Sequence, residues 1–229
     1  MLYETNAPAA KPGQKTLSEL DSYRYTDAPT QFSLKQSSRP MQLQDVKTLV
    51  EWKLKHGKFR PTLMKLVSSN EVSFTEDTIR SAIDMYKKDS DAAAAVDALA
   101  KLKGIGPATA SLLLAVHDPK HVIFFADEAF YWLCSNGRKG PIKYNAKEYK
   151  EVNAKAQVLA RRLNVGAIDV ERVAYVLMNG TKSNAQTETR PVPTEDTPEA
   201  ENTAPTKRKQ ASPLDEASGP RRSKRGKQV

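Results

Sequence analysis

Residues 102–110 read Leu-Lys-Gly-Ile-Gly-Pro-Ala-Thr-Ala. Two glycines around one apolar residue let a chain turn tightly where a Cβ would clash. Their N–H groups can approach an anion closely, and the helix opened by Pro107 adds the positive end of its dipole. The chemistry this pattern points to is phosphate binding by Gly104, Ile105, Gly106, Ala108 and Thr109, with Ile105 turned inward to tie the flanking helices. A tight interhelical turn with no ligand is the plainer reading of the same residues. Further on, Asp127-Glu128 follows the run Val122-Ile123-Phe124-Phe125-Ala126. Asp is a favoured helix N-cap, and Glu128 suits a first helical turn.

Other chemistry is poorly represented. Cys134 is the single cysteine, which excludes an internal disulfide, a cysteine-based zinc site and an iron–sulfur cluster within one chain. His56, His117 and His121 do not fall at metal-ligand spacing, so no metal site is expected. There is no Gly-x-x-x-x-Gly-Lys phosphate loop and no nucleophile elbow. Two basic clusters stand out. Lys53, Lys55, Lys58 and Arg60 surround a helix end; Arg138, Lys139 and Lys143 sit in a loop with Gly137 and Gly140. Cations near a helix C-terminus suit its dipole, and contact with phosphate is the functional alternative. Lys58, Arg60, Arg138, Lys139, Lys143 and, beside the glycine turn, Lys103 are the candidate contacts. Trp52, Tyr131 and Trp132 offer stacking surface, but their helical spacing favours the core.

The elements that must position these residues read as helices. Residues 1–40, rich in Pro, Ser, Thr, Gln and Lys, are expected to be mostly irregular. Leu43, Val46, Val50 and Leu54 mark a first helical face, ended by Gly57 and Pro61. Leu63–Val67 predicts a short second helix. Ser73 with Glu76 resembles a capping box ahead of Ile79, Ile83 and Tyr86. Ser90 or Asp91 starts a helix with Val96, Leu99 and Leu102, stopped by Gly104. Pro107 opens the next, with Ala110, Leu113 and Leu114. Further helices are expected from Asp127 through Trp132, after Asn145 with Tyr149, Val152, Leu159 and Leu163 on its face, and over Asp169–Met178, ended by Asn179-Gly180. No segment alternates like a strand. The expectation is an all-α, multi-helix domain over 41–182.

The chain of 229 residues carries a formal net charge of +9. Residues 183–229 hold nine Lys/Arg and seven Asp/Glu, so +7 of the excess lies in residues 1–182. A basic domain fits a polyanionic partner. Hydrophobic residues are 39% of the chain, and large apolar side chains nearly vanish after residue 182. Residues 183–229 therefore read as a disordered tail. Its clusters Lys207-Arg208-Lys209 and Arg221-Arg222-Ser223-Lys224-Arg225 read as a signal for an import receptor and a nuclear location, with a nonspecific nucleic-acid tail as the alternative. No apolar run approaches the length of a membrane span, and no secretory leader or membrane partner is expected.

Leu-x-Gly-Ile-Gly-Pro followed by an Ala-rich apolar helix closely resembles the hairpin of helix–hairpin–helix proteins. Past that helix, Asp127 resembles in place the catalytic aspartate of the helix–hairpin–helix superfamily of base-excision DNA glycosylases. The motif resemblance covers roughly residues 95–135. It implies an all-helical fold, DNA as partner, Gly104 and Gly106 as phosphate-binding turn residues, Asp127 as the catalytic carboxylate and a monovalent cation on the hairpin carbonyls. Bifunctional members carry a lysine nucleophile where this chain has Ala108, so the resemblance implies base release without Schiff-base chemistry. The surround Ala126-Asp127-Glu128-Ala129 departs from the family pattern, and cluster-binding cysteines are absent. The expected function is that of a nuclear DNA-binding protein of this fold acting as a monofunctional DNA glycosylase. The alternative is a non-catalytic module that binds DNA or docks in a chromatin or repair complex.

Overall fold

Capping and apolar spacing set the helix boundaries. A computed structural model describes residues 15–184, and these form helices joined by turns, with no strand among them. The helices are α1 (Leu17–Ser22), a π-helical turn (Tyr23–Asp27), α2 (Ala28–Phe32), α3 (Leu43–His56), α4 (Leu63–Ser68) and α5 (Val72–Asp89). They continue as α6 (Ala92–Leu99), α7 (Pro107–His117), α8 (Asp127–Cys134), α9 (Ala146–Leu163) and α10 (Ala167–Asn184). Asp91 caps α6 by accepting from the N–H groups of Ala93 and Ala94 at 2.9 and 3.1 Å. Asn145 caps α9 through the Glu148 N–H at 2.9 Å. Asn145 is the cap the sequence nominates, and Asp91 is one of the two residues, with Ser90, that it offers for α6.

The core is built around α7. Every residue from Ala108 to His117 is buried, the signature of a helix enclosed on all sides rather than amphipathic. Against it pack α2, α3, α6 and α9, while α8 lies on α9 and α10. The glycine turn therefore feeds directly into the central helix, and whatever sits at its N-terminus is held by the whole core.

Four expectations are corrected. Within the segment expected to be mostly irregular, the chain is helical from Leu17 to Phe32. Leu20, Arg24, Ala28 and Phe32 recur at helical spacing and are all buried. Arg24 interrupts that stripe as a sequence signal, yet its Nη2 forms an ion pair with Glu171 of α10 at 3.1 Å. Its guanidinium also lies over the rings of Tyr25 and Trp52, at 5.2 and 5.5 Å from their centroids, a favourable arrangement for a buried cation. Ser73 is not a cap, because α5 begins at Val72 and the Ser73 hydroxyl donates to Glu71 at 2.8 Å. Asn179-Gly180 does not end the last helix, which continues to Asn184; one helical glycine costs only about 1 kcal/mol relative to alanine. Leu163 is exposed at 56% instead of lying on the buried face of α9. Residues 185–229, with the basic clusters from Lys207 to Arg225, lie outside the described residues.

Candidate active site

Asp127 is positioned by a short extended segment with no sheet to pair with. Three successive N–H groups of that segment are taken by side chains from three helices. Ile123 N–H donates to Asn153 Oδ1 of α9 at 3.2 Å, Phe124 N–H to Glu171 of α10, and Phe125 N–H to Ser111 Oγ of α7 at 2.9 Å. Buried backbone donors must find acceptors, so this arrangement fixes where the segment ends and α8 begins. Ala126 occupies the N-cap position of α8 and no side chain caps it. The Asp127 carboxylate does not serve as a cap. It accepts instead from the Tyr144 hydroxyl at 2.5 Å.

The glycine turn is closed by protein groups. Gly104 has φ +78°, and a Cβ there would sit 3.0 Å from Leu66 Cβ and 3.1 Å from Val67 Cγ2. Gly106 differs: its φ is −91° and a Cβ would meet nothing within 4 Å. Only Gly104 is thus required by the fold. The buried Asn70 amide binds both backbone groups of Lys103, accepting from its N–H at 2.8 Å and donating to its carbonyl at 2.9 Å. Leu102 O accepts from Ile105 N–H at 3.0 Å. Both carbonyls carry a protein donor.

Turn and carboxylate open onto one cavity of about 520 Å³, within the ~300–1,000 Å³ typical of small-molecule sites. Its walls come from Gly104, Gly106, Ala108 and Thr109, from Asp127 and Glu128, and from Lys53, Lys58 and Arg60 at the end of α3. Aromatic surface is supplied by Trp52, His56, Phe124, Phe125 and Tyr144. Trp52 is fully buried and forms the back wall, stacked on His56 at 4.6 Å and edge-on to Phe124 at 5.6 Å. Burial, and then the Arg24 charge, push the His56 pKa down to about 4, so its ring is neutral near pH 7.

Lys53 stands between the two halves. Its Nζ donates to Thr109 Oγ1 in the first turn of α7 at 2.7 Å. Burial and the nearby Arg60 charge lower its pKa to about 8, against the opposing pull of Asp127.

Of the residues singled out from the sequence, Asp127, Gly104, Gly106, Ala108, Thr109, Lys58 and Arg60 share this cavity. Ile105 is buried in the core, as its inward orientation requires. Lys103 is exposed outside the cavity. Arg138, Lys139 and Lys143 belong to an exposed loop and do not line it; Tyr144, at the end of that loop, does. Tyr144 and Phe125 are not singled out by sequence reasoning, and Lys53 appears there only as part of a basic run. A signal for Lys53 exists: counted from Val46, Leu49 and Val50, it falls on the inner face of α3. Tyr144 carries none, since only the tertiary fold brings it to Asp127.

Among the described residues no group of three or more His, Cys, Asp or Glu could hold a metal ion, and no helix is long and apolar enough to cross a membrane. No known protein family, curated protein or solved structure matches this chain.

Proposed function

We propose that this domain binds DNA through a helix–hairpin–helix motif at Gly104–Thr109 and releases a base from it, as a divergent relative of the base-excision glycosylases. One observation carries the reading. The glycine turn, the start of α7 and the Asp127 carboxylate open onto a single cavity with a mixed aromatic and cationic wall.

The chemistry follows from that wall. A DNA phosphate seated on the turn meets the N–H groups and dipole of α7, with Lys58 and Arg60 beside it. A nucleotide rotated out of the stack places its base against aromatic surface in the cavity. Cleavage of the N-glycosidic bond leaves positive charge on the sugar. The Asp127 carboxylate stabilises that charge and orients the water that adds to C1′, while the bonding electrons leave with the base. Tyr144 holds the carboxylate in place. Glu128, in the same wall, adds to the negative potential. The basic clusters of the tail extend the proposal to a nuclear location and an import receptor; deleting residues 207–225 is expected to spread a tagged chain into the cytoplasm.

The binding half is tested by titrating DNA duplexes at rising salt. Binding is expected to weaken along a straight log–log line, with Lys58→Ala and Arg60→Ala each lowering the slope by about 1. A slope near zero would remove DNA as the partner. Salt-sensitive binding without base release would leave a non-catalytic DNA-binding module.

A further inference from the structure

Most of the positive charge of the folded domain lies away from the cavity. Residues 138–162 hold eight Lys/Arg and two Asp/Glu, a net +6 of the +7 carried by residues 1–182. They form the loop after α8 and most of α9. The loop is pinned at both ends. Gly137 N–H donates to Tyr131 O at 2.8 Å, the Tyr131 hydroxyl donates to Gly140 O at 2.9 Å, and Lys143 N–H donates to Glu148 Oε2 at 2.9 Å. On α9 the face around Tyr149, Val152 and Ala156 is buried. Opposite it, Lys147, Lys150, Ala154, Val158 and Arg161 recur at helical spacing and are all exposed. No carboxylate interrupts that stripe. The two acids of the segment lie beside it and are engaged, Glu148 with Lys143 N–H and Glu151 with Lys155 Nζ at 2.8 Å. Among the described residues none of Arg138, Lys139, Lys143, Lys147, Lys150 and Arg161 forms an ion pair. A face that serves only solubility mixes both signs; this one gathers like charges, which repel one another unless an anion covers them.

We propose that this loop and the outer face of α9 form a second phosphate-binding surface, which holds the duplex that flanks the cavity. The proposal rests on the DNA-binding part of the reading above. The surface begins at the cavity: Tyr144 lines the cavity, and Asn145 caps α9 directly after it. From Lys147 to Arg161 the helix rises about 21 Å, the length of about six nucleotides along one strand of a duplex. Charges in such a row meet the backbone and carry no sequence information, so they add affinity and fix orientation without reading bases. The pinned loop presents Arg138, Lys139 and Lys143 at little further ordering cost. Because the surface leaves the cavity on the Tyr144 side alone, the bound duplex extends further on one side of the seated nucleotide than on the other.

The experiment titrates the full-length chain with a DNA duplex of about two helical turns at rising salt. Lys147→Gln, Lys150→Gln and Arg161→Gln combined in one chain are expected to lower the log–log slope by about 2–3. The melting temperature should stay near wild type, since all three positions are exposed. Lys35→Gln, Lys87→Gln and Lys88→Gln, combined at exposed positions elsewhere, remove the same charge and are expected to change the slope by less than about 0.5. Lysine acetylation read by mass spectrometry locates the contact: the duplex is expected to protect Lys147 and Lys150 and to leave Lys88 reactive. Equal slope losses in the two triple variants would overturn the proposal, because net charge alone would then set the binding. An unchanged slope in the α9 variant, with Lys58→Ala and Arg60→Ala still lowering it, would overturn it and leave the cavity reading standing. Tighter binding of duplex RNA, lost in the α9 variant, would overturn DNA as the occupant. Absence of salt-sensitive binding to DNA would remove both the proposal and the reading on which it rests.

Discussion

The Tyr144 hydroxyl reaches the Asp127 carboxylate at 2.5 Å from a backbone with φ of 51°. Left-handed backbone is uncommon for a bulky side chain and persists only where the surroundings impose it. Here the hydrogen bond and the packing of Tyr144 on Phe125, at 5.5 Å between centroids, are the interactions that hold it. Burial, reinforced by Asp127, keeps the Tyr144 phenol protonated well above its ordinary range, so it remains a donor at any working pH. Tyr144→Phe keeps the ring and removes the donor. Single-turnover base release is expected to fall about tenfold, the scale of one hydrogen bond to a charged group. DNA affinity, measured in parallel, should not change.

The two glycines of the turn make separable predictions. Gly104→Ala meets both a positive φ and a Cβ contact at 3.0 Å. Melting should show a loss of about 1–3 kcal/mol. Gly106→Ala has open space and an ordinary φ, so stability should hold within about 0.5 kcal/mol. Its added methyl faces the cavity where a phosphate backbone would approach, and DNA affinity is expected to fall. Equal stability losses in the two variants would contradict this division of roles.

Arg24 and Glu171 join the N-terminal helical run to α10 in a buried pair, and Tyr25 donates to the same carboxylate at 3.2 Å. Burial raises the Glu171 pKa, a shift that the Arg24 charge opposes. Arg24→Met leaves that carboxyl without its cation. Denaturant melts should show destabilisation of about 3–5 kcal/mol, the usual loss when one partner of a buried pair is removed. Because Glu171 also accepts from Phe124 N–H, the variant is expected to loosen the segment leading to Asp127.

Lys53 gives the domain a pH signature. Its pKa is about 8 when folded and 10.5 in the ordinary exposed state. Between those values the unfolded chain holds the proton and the folded chain does not, so Lys53 makes stability rise with pH across that window. As pH falls through about 8, its contribution becomes a constant penalty. Lys53→Met should therefore be more stable than wild type at pH 7, with the difference shrinking as pH rises toward 10.5.

Much of this arrangement is legible in the order of residues. Pro107, Asp91 and Asn145 mark helix starts by local chemistry, and the sequence places Asp127 at the head of a helix. The turn at Gly104–Gly106 follows from residue type alone. The N-terminal helices do not, because Arg24 breaks an apolar stripe and its partner lies 147 positions away. Tyr144 and Asp127 are 17 positions apart across an irregular loop, a distance over which no periodicity carries. Lys53 is the intermediate case: its place on the inner face of α3 can be read from spacing, but the Thr109 hydroxyl that receives it cannot.

Base release by Asp127 is the central claim, and single-turnover incubation tests it most directly. The full-length chain is mixed in excess with duplexes carrying uracil, alkylated or oxidised bases, and abasic sites are revealed by heat and alkali. The wild type is expected to release at least one of these bases. Asp127→Asn should be slower by about 100-fold or more at unchanged affinity. Release at equal rates by the two proteins, or bound duplexes from which neither releases a base, would contradict it.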